Sequence, residues 1–130
     1  MRKIYTYYDG SSLPVHDFMN NTDVKIKKKF LFCLDFIKDE HNAFTEPYVK
    51  HFSLEKYKRF YELRIKAVST MVRVIFYEYD GEIILLHAFY KRNRKDTERA
   101  LETANKILHT ILTDGDEINK EYREELVFSD

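Results

Sequence analysis

The segment from Phe60 to Lys95 constrains the fold most, because it contains three consecutive strand patterns joined by links too short to hold a helix. Phe60 to Val68 sets Tyr61, Leu63 and Ile65 against Glu62, Arg64 and Lys66. That period of two sends one set into a core and turns the other toward a polar partner. Ala67 to Thr70 is a short link, and Val72 to Tyr79 is a second strand of β-branched and aromatic residues with Arg73 as its odd member. Asp80-Gly81 is a two-residue hairpin signal, since glycine accepts the positive φ that a type I′ turn requires. Glu82 to Tyr90 returns as a third strand, so apolar that both of its faces should be covered. It runs out into Lys91, Arg92, Arg94 and Lys95.

The flanking sequence predicts the rest of an α+β domain. Lys3 to Tyr8 forms a first strand, ended by Asp9-Gly10-Ser11-Ser12. Pro14 suits the first turn of a short helix carrying Val15, Phe18 and Met19. Thr22 or Asp23 caps a longer helix to about Glu40, with Ile26, Phe30, Cys33, Leu34 and Ile37 on one face. Cys33 lies on that stripe as a small buried hydrophobe, and the lysines at the helix start form a solvated face. His41 to Lys58 is an ordered crossover whose aromatics need burial. Asp96 is the expected N-cap of a last helix bearing Ala100, Leu101, Ala104, Ile107, Leu108 and Ile111 and stopping near Gly115. The order is β-α-α-β-β-β-α, a twisted, mainly antiparallel sheet with helices packed on one face. Residues 1–115 make the domain. Residues 116–130 are an acidic C-terminal extension, either a docking helix or disordered.

At 130 residues the chain is expected to be one domain with its own core. Neither a membrane-spanning run nor a leader pattern is apparent, which places the protein in the cytoplasm with no membrane partner. A single cysteine excludes an internal disulfide, and the five scattered histidines make no metal-ligand spacing, so neither a metal nor another cofactor is expected. The net charge of zero conceals an asymmetry: residues 49–95 hold eleven Lys/Arg against five Asp/Glu, whereas residues 96–130 hold four against ten. A basic middle fits a polyanion partner, and neutralisation by the acidic end explains it equally well.

No nucleophile elbow, phosphate-binding glycine loop or paired-carboxylate arrangement is apparent. What the strands do present is cations at neighbouring positions: Arg64 and Lys66, then Arg73, then Tyr90, Lys91 and Arg92. Strands lie about 5 Å apart, so such groups can converge on one phosphate. Arginine clamps phosphate oxygens and stays charged, which suits it to charge developing in a transition state but makes it a poor base. A proton acceptor then has to come from Lys66, Lys91, Tyr90 or His87. His87 is opposite in phase to Tyr90 and Arg92 and is expected to face the helices as a core histidine. Glu62 is expected to pair with Arg64 or Lys66. Arg73 inside an apolar strand needs a partner.

Five segments, PYVKHF (47–52), YELRIK (61–66), RVIFY (73–77), DGEIILLHAFYKR (80–92) and the capped last helix, resemble the RelE/HigB-type toxins of bacterial type II toxin–antitoxin systems, in their phage-derived HigB-like branch. The resemblance spans about residues 3–113. It implies a RelE-like fold and a metal-independent endoribonuclease that cuts mRNA on the translating ribosome. In that reaction a 2′-hydroxyl attacks the adjacent phosphate and leaves a 2′,3′-cyclic phosphate. The partners it implies are a cognate antitoxin protein, the ribosome and mRNA, with operator DNA reached only through the antitoxin. The implied catalytic set is Arg64, Lys66, Arg73, Tyr90 and Arg92. Lys50, Lys91, Arg94 and Lys95 are the implied RNA contacts, with His87 a further candidate. Two other functions suit the same superfamily: a gyrase-type toxin that acts by protein binding, and an antitoxin-binding module in autoregulation. The branch's Lys-Thr-Pro before the last helix is replaced here by Lys95-Asp96-Thr97.

Overall fold

A computed structural model describes residues 1–113 and 117–126 and arranges them as β1 (Ile4–Tyr7), α1 (Pro14–Asn20), α2 (Val24–Lys38), β2 (Val49–His51), β3 (Phe60–Ala67), β4 (Thr70–Tyr79), β5 (Glu82–Tyr90), α3 (Arg94–Ile111) and β6 (Arg123–Glu125). The strands form one sheet in the order β2-β3-β4-β5-β1-β6, antiparallel except where β1 runs parallel to β5. The α+β class and the mainly antiparallel sheet are those the sequence predicts, and β5 has its expected limits. Asp80 and Gly81 both take positive φ (50° and 77°), as the type I′ turn demands. At the β3–β4 link Val68 is also held at positive φ (56°), an uncommon backbone for a β-branched residue.

Alternation along the central strands builds two cores. Leu63, Ile65, Val72, Val74, Phe76, Ile83 and Leu85 point to one face, where Val15 and Met19 of α1 and Ile26, Phe30, Cys33, Leu34 and Ile37 of α2 meet them. Phe60, Ile75, Ile84 and Leu86 point to the other face, against Ala100, Leu101, Ala104, Leu108 and Ile111 of α3. The helices therefore divide between the two faces instead of sharing one. The apolar character of β4 and β5 already required this, since a strand buried on both faces needs a layer on each.

Two short strands add to the predicted order. Val49–His51, within the expected crossover, pairs antiparallel with β3 and makes the sheet edge. The tail forms a 3₁₀ turn at Lys120–Tyr122 and then β6, antiparallel to β1, in place of the docking helix or disorder that its composition suggests. This puts the described part of the tail at the edge opposite β2. Gly115 and the last residues of the tail, Val127 included, lie outside the described residues. Asp23 caps α2 by accepting from the Ile26 amide, as expected. The α3 cap is Asn93, three residues earlier than predicted, with Asp96 closing a capping box onto the Asn93 amide. Arg94 and Lys95 consequently sit in the first turn of α3.

The register between β4 and β5 shifts between Ile75 and Phe76. Ile75 faces His87 while Phe76 faces Leu85, which leaves Leu86 as the extra residue of a β-bulge. This inverts the phase of β5 beyond Leu86. Ala88 and Tyr90 turn to the α1/α2 face, whereas His87 and Phe89 stand on the α3 face, opposite Ile75 and Arg73.

Candidate functional site

The β3–β4 register places Arg64 directly opposite Arg73 on the face covered further along by α3. Two like charges at opposed positions repel, and Glu62 offsets them. Its Oε1 lies 3.6 Å from Arg64 Nε and 3.5 Å from Arg73 Nε. Glu62 is 1 % exposed and Arg73 7 %, so both charges are held out of water. The pairs are long, however. Glu62 Oε2, Arg64 Nε and Arg73 Nε are buried without a hydrogen-bond partner among the described residues. Burial pulls Arg73 below the usual arginine range, Glu62 opposes that shift, and Arg64 adds to it. Arg64 also reaches Glu46 at 3.2 Å, and Arg73 donates to the Val72 carbonyl at 3.3 Å and approaches Met71 Sδ at 3.7 Å.

Lys91 completes the cluster. Its amide donates to the Met71 carbonyl, continuing β5 past Tyr90, and its Nζ donates to Thr97 Oγ1 of α3 at 2.9 Å. Burial lowers its ammonium pKa; Glu62 holds it up, while Arg73, Lys50 and Arg64 push it down further. An open groove of about 550 Å³ between β2 and the start of α3 is lined by Lys50, Lys91, Arg94 and Thr97. Lys50 sits opposite Glu62 in the β2–β3 register. Partly exposed Arg64, opposed Arg73, the buried Glu62 carboxylate and the Lys91 ammonium thus form one charged cluster beside that groove. Two arginines, a carboxylate and an ammonium are the donor and acceptor types that chemistry at a phosphate ester uses.

The sequence-derived candidates divide around this cluster. Arg64, Arg73 and Lys91 meet at it, and Lys50 and Arg94 line the groove beside it. Tyr90 stands on the other face, its ring 5.0 Å from Phe18 of α1. Arg92 lies over the Tyr90 ring at 5.7 Å. The bulge at Leu86 separates these two residues from Arg73; continuous alternation would have brought them together. Lys66 is exposed and lines a second groove, against α2. Lys95 is exposed in the first turn of α3. His87 is out of phase with Tyr90, as expected, and stacks on Phe89 at 6.0 Å, with burial lowering its pKa. Glu62 pairs with Arg64, as expected, but the sequence does not mark it as the carboxylate shared with Arg73. Its signal is a carboxylate in phase with two cations on a strand that alternates into a core.

A small α+β domain of RelE-like architecture, with a buried cation–carboxylate cluster beside an open groove at the head of its last helix, is the class that fold and site define. The family model for the phage-derived Gp49-like proteins matches residues 17–109, and the chain belongs to that family. The family lies within the RelE/HigB-type group of toxin–antitoxin toxins, which makes this chain a toxin-family protein and implies an antitoxin partner. No curated protein and no solved structure matches the chain significantly. Among the described residues no helix is long and apolar enough to cross a membrane.

Proposed function

We propose that this toxin is an endoribonuclease that cleaves mRNA on the translating ribosome without a metal. The observation that carries this reading is the buried Glu62 carboxylate, with one oxygen unclaimed, between two arginines whose Nε–H groups are also without a hydrogen-bond acceptor. A scissile phosphate bound there accepts from Arg64 and Arg73, and both N–H donors find the acceptor they lack. Glu62 Oε2 takes the proton of the adjacent 2′-hydroxyl as its oxygen bonds to phosphorus. The P–O5′ bond breaks, and the departing 5′-oxygen takes a proton from Lys91. The products are a 2′,3′-cyclic phosphate and a free 5′-hydroxyl. Arginine donors fixed before the reaction stabilise the charge that develops on the non-bridging oxygens. A lowered pKa makes Lys91 a better proton donor near neutrality than an ordinary lysine. Lys50 and Arg94 hold flanking phosphates, and Thr97 keeps the Lys91 ammonium at the site.

Brief expression in bacteria beside an Arg73→Ala variant, with mRNA ends mapped by primer extension, tests this function. New 5′ ends inside translated regions, absent from the variant and when initiation is blocked, are expected. Growth arrest without new ends would overturn the nuclease and make gyrase the next target to assay.

A further inference from the structure

The α2 helix carries two stripes, and the core uses one of them. Ile26, Phe30, Cys33, Leu34 and Ile37 pack on the sheet. Lys25, Lys28, Lys29 and Phe32, spaced three and four apart, form a separate stripe in which all four residues are exposed. Phe32 is 52 % exposed, with its ring edge on Tyr48 at 5.2 Å. The same four side chains, with Tyr48 and with Lys66 from β3, line an open groove of about 780 Å³. No carboxylate is among its lining residues. The concentration of cations from two elements beside a half-exposed aromatic ring is more than solubility requires.

We infer that this groove binds a single-stranded stretch of RNA that flanks the scissile phosphate. Resting on the nuclease proposed above, the inference adds a second subsite to it. Three observations favour single-stranded RNA over an acidic protein. The groove is open, so a flexible backbone can lie along it. Phe32 offers a flat face, which a base of any sequence can stack on, beside lysines that reach phosphates; this pairing is typical of single-strand binding surfaces. The groove lies on the α2 face and the cleavage cluster on the α3 face, and the two adjoin round the end of β3. Tyr48, which lines it, accepts the Arg64 amide through its carbonyl at 2.8 Å. Lys66 lies two residues from Arg64 on one strand, about 7 Å along the sheet, so RNA leaving Arg64 and Arg73 meets Lys66 next and then the α2 lysines. Ribose and base specificity stay with the cleavage site, while this groove supplies length and charge.

Binding of a fluorescent 2′-O-methyl oligouridine, which offers no 2′-hydroxyl and so cannot be cut, measures the groove apart from catalysis. Anisotropy titrations are compared across a range of salt for the wild type, a Lys25→Ala/Lys28→Ala/Lys29→Ala variant and Phe32→Ala. Three lost phosphate contacts make the log–log salt slope shallower by about 2. Phe32→Ala weakens binding about tenfold at fixed salt and leaves the slope as it was. All four side chains are exposed, so thermal melts should match the wild type. An unchanged slope in the triple variant, or an unchanged affinity in Phe32→Ala, overturns the inference. So does a triple variant that binds the oligonucleotide normally but loses the antitoxin, which would make the groove a protein dock. If the wild type produces no new mRNA ends while the slope still falls, the nuclease fails and the groove stands. New ends with an unmoved slope leave the nuclease in place and remove the groove.

Discussion

Two arginine–glutamate pairs sit toward opposite ends of the sheet, one partly buried and one buried, and their hydrogen bonding differs as a closed brace differs from an open cluster. At the β1–β6 end, Arg123 donates to Glu82 Oε1 at 2.9 Å and lies 3.7 Å over the Tyr5 ring, while the Tyr5 hydroxyl donates to Glu82 Oε2 at 3.2 Å. Both carboxylate oxygens are occupied, and the pair ties the last strand to the edge of the sheet. At the β3–β4 end, Glu62 serves two arginines at 3.5–3.6 Å and leaves an oxygen and two N–H groups unmatched. Each buried unmatched group costs about 1–3 kcal/mol. Stability alone would favour a tighter arrangement. The unmet hydrogen-bonding capacity at Glu62, Arg64 and Arg73 is what the proposed scissile phosphate would satisfy.

The largest effects should come from the open pair. Glu62→Gln keeps shape and removes the proton acceptor, so cleavage should fall about 10²- to 10⁴-fold. Arg73→Ala should lose at least about 10²-fold by removing charge stabilisation. Cleavage of ribosome-bound mRNA, with circular dichroism showing the fold intact, measures both. The closed pair should behave oppositely. Arg123→Ala removes a charge-assisted hydrogen bond to partly buried Glu82 and should cost about 1.5 kcal/mol in urea unfolding, with the cleavage rate per folded molecule unchanged. Arg123→Met with Glu82→Leu should recover much of that loss, because apolar side chains of similar volume replace the partly buried pair and leave no unpaired carboxylate. Equal activity losses at both pairs would erase the distinction between them. Thr97→Val should act more weakly than any of these. It frees the Lys91 ammonium from its fixed acceptor, and a few-fold drop in cleavage with unchanged RNA affinity is expected.

Much of this contrast is legible in the chain, and the failures have definite causes. Arg73 stands out because an arginine within Val-Ile-Phe-rich sequence has to find a partner, and it does. The β5 limits follow from Asp80-Gly81 and the apolar run. Counting in twos through Leu-Leu-His-Ala-Phe-Tyr places Tyr90 and Arg92 with Arg73. One extra residue at Leu86 inverts that count, so Lys91 joins Arg73 and His87 stands further along the same face, opposite Ile75. A bulge arises from packing against two layers, and local composition carries no sign of it. Glu62 is easily underrated because its importance depends on Arg73 lying beside Arg64 across the register. β6 escapes the sequence because Arg-Glu-Glu has little strand propensity; its pairing rests on Arg123 reaching Glu82 and Tyr5, residues far away along the chain.

Acid titration sharpens the comparison with the smallest expected signals. Burial lowers the His87 pKa below the ordinary histidine value of 6.5. As pH falls through roughly 6.5, the unfolded chain takes up a proton that the folded protein resists, so stability declines until the lower folded pKa is reached. Glu82 is held below the ordinary glutamate value of 4.5: burial alone would raise it, but Arg123 and the Tyr5 hydroxyl together outweigh burial. Its contribution is fully present above roughly 4.5 and disappears as pH falls through the depressed folded value. Urea midpoints across this range should therefore drop in two windows, the first removed by His87→Gln and the second made smaller by Glu82→Gln, since Asp9, Asp39 and Asp96 are also held low by hydrogen bonds. An Arg123→Ala variant should shrink only the second and leave the first as it was. If it shrank the first as well, the two ends of the sheet would be coupled, and the closed pair would no longer count as a brace independent of the site.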